Sequence, residues 1–183
     1  MEITRDQQKT LLKVARDTIT ATLTGAPCPL PPREGLFAVP CGAFVTLHER
    51  GNLRGCIGHI VARRPLLETI QEMAQAAAFR DPRFPPLQRQ ELDLVDLEIS
   101  VLSPLEKLTR PEDLIPGVHG LYLTRGNRSG VLLPQVATEQ GWDRLTFLNH
   151  TCLKAGLPEG CWKDPDTLLE VFTARVFGEK DDS

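Results

Sequence analysis

The chain has 183 residues, of which 41% are hydrophobic and 25% are charged, and its formal net charge at pH 7 is −3. This composition is that of an ordinary globular protein, and it argues against a disordered or fibrous chain. Because the charge balance is slightly acidic, no global positive field would attract a nucleic-acid backbone, so nucleic-acid binding is not expected.

The start of the chain and its cysteines predict a cytoplasmic protein. Residues 1–10 are polar, and no stretch approaches the roughly 18 apolar residues of a membrane span, so we expect neither export nor a membrane partner. No cysteine belongs to a CxxC pair, and reduced thiols are expected in a chain without a secretion signal. The five cysteines are Cys28, Cys41, Cys56, Cys152 and Cys161.

Two helices are predicted in the first half of the chain. Thr4 and Gln7 have the spacing of a capping box, ahead of an amphipathic stretch that Gly25 ends. Pro65 suits the first turn of a second amphipathic helix. That helix ends before Asp81, because the prolines that follow prevent its continuation.

Between these helices the sequence predicts a β-hairpin that turns at Gly51–Asn52. Strand alternation places Arg54 and Cys56 on one face, and Leu53 and Ile57 on the other. A guanidinium and a thiol are therefore expected to point in the same direction from one strand.

A strand at residues 95–101 follows the second helix, and its apolar residues point to the core. Its second face carries Glu98 and Ser100, which would supply an acid or base if that face lined a cleft. Simple solvent exposure of the face is the alternative.

The second half of the chain repeats this order of elements. A hairpin is predicted at residues 121–133, a helix at about 137–155 and a strand at 168–177, and Arg54 maps onto Arg128. We therefore expect an α+β fold in which a hairpin-helix-strand unit is duplicated, with a mainly antiparallel sheet and flanking helices.

The thiol of Cys56 is the sharpest chemical signal in the sequence. Gly55 and Gly58 flank it, and strand glycines leave room for another backbone or a ligand. A nearby guanidinium, from Arg54 or Arg83, would favour the nucleophilic thiolate. Buried packing explains the spacing equally well, because cysteines are often buried and strand glycines often mark a bulge.

The hexapeptide Leu53-Arg54-Gly55-Cys56-Ile57-Gly58 resembles the signature of the AMMECR-type domain family, protein A of the AmmeMemoRadiSam system. Further segments resemble family blocks in family order, so the resemblance covers about residues 5–178 and is more specific than any one motif. These segments are Asp81-Pro82-Arg83-Phe84, Glu98-Ile99-Ser100-Val101-Leu102-Ser103-Pro104, Leu133-Pro134-Gln135-Val136, Gly141-Trp142-Asp143 and Lys154-Ala155-Gly156-Leu157-Pro158.

The resemblance implies a fold of two unequal lobes with a cleft. We expect a single domain over residues 1–183, with a first lobe to about residue 108, a second lobe at about 109–178 and a frayed tail at 179–183. The name of the system implies Memo-like and radical-SAM proteins as partners. No established reaction comes with the resemblance, and no cofactor is evident.

Carried over motif by motif, the resemblance implies a set of ligand-binding residues in the cleft, with Cys56 also the catalytic candidate. Asp81 and Arg83 would present charges from a rigid loop, although a local salt bridge explains them equally well. Trp142 would form an aromatic wall, and core packing is the alternative. The set is Arg54, Cys56, Asp81, Arg83, Gln135 and Trp142.

No metal site is predicted. Cys56 and His59 are spaced like partial ligands, but no paired CxxC or HxxxH motif completes a tetrahedral set. Cys152 falls on an apolar helical stripe with Leu145 and Leu148, which predicts that it is buried in the core.

Three functions remain open. The first is binding of a small anionic ligand or a partner protein around Arg54 and Cys56. The second is a cysteine-dependent enzyme or redox protein that uses Cys56, with a base that folding would bring to it. Nucleic-acid binding through a cluster of arginines ranks third. That cluster is Arg50, Arg54, Arg63 and Arg64.

Overall fold

The computed structural model describes residues 2–28, 30–31 and 33–181, and it confirms an α+β fold with two antiparallel sheets. The chain forms two compact units: the first runs to Leu102 and resumes at Arg175, and the second is Ser103–Ala174. The sequence placed the division near residue 108. It falls earlier, and the last strand returns to the first unit, because that strand pairs within the first sheet.

The first unit packs two helices on a four-stranded sheet. The sheet has the order β2-β1-β3-β8, so β2 lies at an edge. The apolar faces of both helices and the inward residues of the central strands form one core. The elements are α1 (Arg5–Thr24), β1 (Ala43–Glu49), β2 (Asn52–His59), α2 (Leu66–Phe79), β3 (Val95–Leu102) and β8 (Ala174–Gly178).

Local signals in the first unit are confirmed. Thr4 and Gln7 form the reciprocal capping box at the start of α1, and Gly25 ends the helix in a left-handed conformation with φ of 73°. Pro65 is the residue before α2. The predicted inward positions of β3 are buried: Val95, Leu97, Ile99 and Val101.

The second unit packs two shorter helices on its own four-stranded sheet, in the order β4-β7-β5-β6. A separate cluster of buried apolar residues joins these elements. They are β4 (Glu106–Lys107), β5 (Gly120–Arg125), β6 (Arg128–Leu132), α3 (Pro134–Gln140), α4 (Arg144–Lys154) and β7 (Leu168–Phe172).

The two units share the pairing of a hairpin with a later strand, as the repeated order of elements predicts, but their fourth strands come from different places in the chain. In each unit the first strand of a hairpin is central, and it pairs with its hairpin partner on one side and a later strand on the other. In each unit a helix also touches a glycine of the second hairpin strand. A Cβ on Gly55 would lie 2.2 Å from the Ala77 carbonyl oxygen, and one on Gly130 would lie 2.6 Å from the Thr151 carbonyl oxygen.

Two long elements predicted in the second half are each divided. The helix expected at 137–155 is interrupted because Gly141 adopts a left-handed φ of 65° and Asp143 then caps a new helix, its carboxylate accepting the N–H of Thr146 at 2.8 Å. The strand expected at 168–177 is two strands in different sheets, separated at Thr173. Leu145 is 54% exposed, so it is not part of the buried stripe that was predicted.

The expectation of reduced thiols is wrong for two cysteines. Cys152 on α4 and Cys161 form a disulfide with a Cα–Cα distance of 5.9 Å. Both residues are buried. Between them the chain turns through Gly156 and Gly160, which have φ of 69° and 79°, and Cys161 returns to the side of Cys152. Cys28, Cys41 and Cys56 lie outside this disulfide.

No helix in the described part of the chain combines the length and the apolar character that crossing a bilayer requires.

Candidate functional site

Cys56 lies on the edge strand β2 and is half-buried. It is directly opposite Thr46 of β1, and the Thr46 hydroxyl donates a hydrogen bond to its sulfur at 3.1 Å. The threonine therefore fixes the position of the sulfur on the outer face of the sheet.

A β-bulge separates Arg54 from Cys56. The register of β1 and β2 shifts between Leu47, opposite Gly55, and His48, opposite Leu53, which leaves Arg54 as the extra residue. Leu53 therefore shares the outer face of the sheet with Cys56, and the placement of Leu53 beside Ile57 was wrong. A bulge cannot be read from simple alternation, because it adds one residue to one strand only.

The guanidinium of Arg54 is already paired. Its Nε and Nη2 atoms donate to the two carboxylate oxygens of Glu91 at 2.8 and 3.2 Å, and the residue is only 8% exposed. This pair holds the pKa of Glu91 below its usual range, chiefly through the hydrogen bond from Arg54. Glu91 also accepts the N–H of Gln88 at 2.8 Å. Arg54 thus anchors the short 3-10 helix at 89–91.

Asp81 and Arg83 occupy the open edge of β2. The Asp81 carboxylate accepts the backbone N–H of Cys56 at 2.9 Å, and Arg83 Nη2 donates to the Cys56 carbonyl at 3.1 Å. Arg83 also donates two hydrogen bonds to the Asp81 carboxylate, from Nε at 3.0 Å and from Nη2 at 2.7 Å. The two side chains bond the edge strand where another strand would otherwise pair. The structure therefore contains the local salt bridge between Asp81 and Arg83 that was one of the two interpretations of this loop.

The Asp81–Arg83 ion pair shifts the pKa values of both residues. Hydrogen bonding to Arg83 holds the pKa of the Asp81 carboxyl well below its usual range, although burial opposes the shift. The same bond raises the pKa of Arg83, and the charge of a Cys56 thiolate contributes to that rise. Arg83 is therefore a permanent cation whose charge acts on the Cys56 sulfur.

The glycines beside Cys56 are explained by packing within the unit. The backbone of Ala77 on α2 fills the space at Gly55, and a Cβ on Gly58 would lie 2.2 Å from the ring of Phe44. The room that the sequence suggested for a ligand at these two positions is thus occupied by the fold itself.

Glu98 is the residue that the sequence could not place beside Cys56. Thr46 pairs with Cys56 on one side and with Glu98 of β3 on the other, so the three side chains form one row across the outer face. Neighbours in such a row have Cβ atoms about 5 Å apart. Glu98 is half-buried and is next to Thr46 in this row, but the hydrogen bond of the Thr46 hydroxyl goes to Cys56. Register, which carries this information, is not visible in the sequence.

Gln135 and Trp142, the remaining predicted site residues, belong to the second unit. Gln135 lies in the first turn of α3 and is half-buried. Trp142 stacks on His150 with ring centroids 3.9 Å apart and packs against the apolar core of the second unit. Trp142 thus packs on the core, as the alternative interpretation expected.

The second unit also has a pocket that the sequence did not indicate. Its volume is about 530 Å³, and its lining includes Trp162, Lys163 and Lys107. The Trp162 indole N–H donates to Asn149 at 2.9 Å, and the Lys163 ammonium lies 5.0 Å from the centre of the ring. This volume suits a small organic molecule or cofactor. Among the described residues, no group of three or more metal-ligating side chains is assembled.

The sequence model of the AMMECR1 family matches residues 12–177. The chain belongs to the AMMECR1 family.

Relatives in the AMMECR1 family match over nearly the whole chain. A protein of Methanothermobacter thermautotrophicus is 46% identical over 188 residues, covering 97% of this chain and 96% of its own. Protein NEQ441 of Nanoarchaeum equitans is 44% identical over 177 residues, covering 92% of this chain and 98% of its own. The crystal structure of the uncharacterized protein PH0010 from Pyrococcus horikoshii is similar with a TM-score of 0.86 and 40% identity, covering 98% of this chain and 95% of that one.

Proposed function

We propose that this AMMECR1-family protein acts through the Cys56 thiol as a nucleophile. The observation that supports this most is the row of Cys56, Thr46 and Glu98 on one sheet face. It provides a sulfur, a hydroxyl that contacts the sulfur, and a carboxylate that can take a proton. The sequence lacked a base for Cys56, and the register of the sheet supplies a candidate.

The roles of the surrounding residues follow from their contacts. For deprotonation the Thr46 hydroxyl turns to Glu98, passes its own proton to that carboxylate and accepts the thiol proton. The hydroxyl then donates its new proton to the thiolate as a hydrogen bond. Asp81 and Arg83 keep the backbone of Cys56 in place, and Arg83 adds a positive charge close to the sulfur. With an alkylating probe such as iodoacetamide, sulfur forms a bond to carbon, iodide leaves, and the transferred proton stays on Glu98.

The test is the rate at which iodoacetamide alkylates Cys56 in the native protein near pH 7. Glu98→Gln should slow this rate by about tenfold or more, as loss of a general base does. Asp96→Asn is the matched control, because Asp96 is on the same strand and face one row away, where it pairs with Lys180. The control should react like the unmodified protein. Equal rates for both variants would overturn the role of Glu98.

A second candidate function is the binding of a small anionic ligand beside Cys56, with Arg83 in the role that the sequence gave to Arg54. Arg83 is anchored to Asp81 and to the Cys56 carbonyl, yet its side chain is 54% exposed. A cation that is already fixed loses little conformational entropy when it binds an anion.

Thermal unfolding with a panel of small carboxylates and phosphates tests this second candidate. A ligand that stabilises the native protein should lose its effect in Arg83→Gln. Arg80→Gln removes the same charge from an exposed neighbour at the end of α2 and should keep the effect. If no anion raises the melting temperature of the unmodified protein, the binding function is rejected.

A further inference from the structure

A small cavity in the first unit has two arginines and a histidine among its six lining residues. It lies where the end of β2, the following loop and the first turns of α2 meet, and its volume is about 230 Å³. His59 pairs with Ala43, one position along from the Gly58 and Phe44 pair, so it lies on the sheet face opposite to Cys56. The cavity is therefore separate from the thiol. Its lining residues are His59, Val61, Arg63, Arg64, Thr69 and Glu72.

This cavity has more basic than acidic side chains, whereas the whole protein has a net negative charge. The chain has a net charge of −3, whereas the cavity brings together two arginines and a histidine with a single carboxylate. The Glu72 carboxylate is 3.7 Å from Arg64 Nη1 and 3.8 Å from His59 Nε2. Both distances exceed hydrogen-bond length, so the carboxylate takes no hydrogen bond from Arg64 or His59.

The backbone that carries these cations is held in place. Thr69 on α2 donates to the carbonyls of Arg64 and Pro65, each at 3.3 Å. Pro65 forms an isolated bridge with Pro40, and the N–H of Leu66 donates to the Val39 carbonyl at 2.9 Å. The arginines thus project from an anchored segment, which lowers the entropic cost of ordering them around a ligand.

We propose that this cavity binds a small oxyanion of the phosphate class through Arg63 and Arg64. Planar guanidinium groups bind phosphate oxygens in pairs, and His59 adds a further donor when it is protonated. The cavity has room for a phosphate group and a short organic substituent, but it is smaller than a pocket for a drug-sized molecule. Glu72 lies near both Arg64 and His59, and its negative charge opposes the binding of an anion.

The structure also divides the arginine cluster that the sequence suggested for nucleic acid. Arg54 is neutralised by Glu91, and Arg50 lies in the hairpin turn outside the cavity. Two of the four arginines, Arg63 and Arg64, therefore remain, and both line the same cavity. Two arginines at one cavity suit a single phosphate group better than an extended polyanion, which needs a charged stripe along the surface.

The experiment is a titration of the native protein with inorganic phosphate, with chloride at equal ionic strength as the reference. The unmodified protein should bind phosphate and gain thermal stability that chloride does not give. Arg63→Gln and Arg64→Gln should each weaken binding by about tenfold, the value of one charge-assisted contact. Glu72→Gln should tighten binding by about threefold, because it removes the only carboxylate in the lining.

Arg50→Gln is the matched control, since it removes one exposed arginine of the same unit without touching the cavity. It should bind phosphate like the unmodified protein. Phenyl phosphate in a parallel titration distinguishes the source: tighter binding than inorganic phosphate identifies a monoester ligand, and equal binding identifies the free ion.

Three results would overturn the proposal. The first is a phosphate effect no larger than that of chloride. The second is equal phosphate affinity in the Arg63 and Arg64 variants and in the Arg50 control. Binding of a mixed oligonucleotide through these arginines, without binding of phosphate, would likewise reject the cavity and assign the surface to nucleic acid. None of these outcomes depends on Cys56 or Glu98, so failure here leaves the thiol function standing.

Discussion

The carboxylate of Asp81 accepts the backbone N–H of Cys56 at 2.9 Å, across the open edge of the first sheet. The same carboxylate holds the guanidinium of Arg83, which in turn donates to the Cys56 carbonyl. A loop thus provides an edge strand with the hydrogen bonds of a missing neighbour. The position of the thiol depends on this arrangement, because the side chain of Cys56 can be no better fixed than its backbone.

Replacement of Asp81 by Asn should destabilise the protein by about 2–3 kcal/mol, because a buried carboxylate loses charge-assisted bonds to Arg83 and to the edge strand. Urea unfolding followed by circular dichroism measures the change. Asp113→Asn is the control, since it breaks an exposed pair with Arg110 and should leave the unfolding midpoint unchanged. Equal midpoints for the two variants would show that the Asp81 carboxylate has no structural role.

Acid should weaken the first unit through the same groups. The pKa values of Asp81 and Glu91 are lowered in the folded protein by their arginine partners. The unfolded chain therefore binds more protons, and the stability that these groups contribute is present above about pH 4 and is lost as the pH falls below it. Urea midpoints between pH 6 and 3 should decline, and they should decline less steeply in Asp81→Asn than in the unmodified protein. An identical pH dependence would contradict this origin.

Addition of a methyl group at Gly55 should cost about 1–3 kcal/mol or more, because the new Cβ would lie 2.2 Å from the Ala77 carbonyl oxygen and must displace α2. Gly178→Ala on strand β8 of the same sheet is the control, since its nearest contact would be at 3.4 Å. Thermal or urea unfolding of both variants gives the comparison. A neutral Gly55→Ala would mean that the helix does not pack this closely on the strand.

The disulfide between Cys152 and Cys161 should stabilise the second unit by about 2–3 kcal/mol, the value that loop closure gives for a separation of nine residues. Alkylation in denaturant without reductant should label only Cys28, Cys41 and Cys56, and all five cysteines should be labelled after reduction. Mass spectrometry counts the adducts. Labelling of Cys152 without reductant would show that the pair is not oxidised.

Local signals in the sequence predicted most of the fold. The capping box at Thr4 and Gln7 and the alternation of residues 95–101 depend on neighbouring residues only, and each has its expected structure. The predicted hairpin also forms, but its turn is one residue earlier than Gly51–Asn52, because Asn52 already pairs with Glu49. The duplicated order of elements also appears in both sheets. Prediction failed at Gly141 and at Thr173, where the apolar pattern runs on but the element ends. The helix ends because of the backbone conformation of Gly141, and the strand is divided because its two parts pair in different sheets.

The candidate site was harder to predict because its contacts are distant in sequence. Arg54 and Glu91 are brought together by the loop after α2, and no local pattern links them. The bulge at Arg54 changes which face each neighbour occupies. Glu98 enters the row of Cys56 only through the register of two strand pairs. A sequence contains the residue types for such a site, but their convergence is a property of the tertiary fold.

The most direct test of the account is the alkylation rate of each thiol in the native protein, resolved by peptide mass spectrometry. Burial raises the pKa of the Cys41 thiol, so that residue should react slowest. Cys56 should react faster than the half-buried Cys28, because the proposed base, Glu98, shares its row and takes the thiol proton. Alkylation of Cys56 that is as slow as that of Cys41 would contradict the claim that this thiol is the reactive group of the protein.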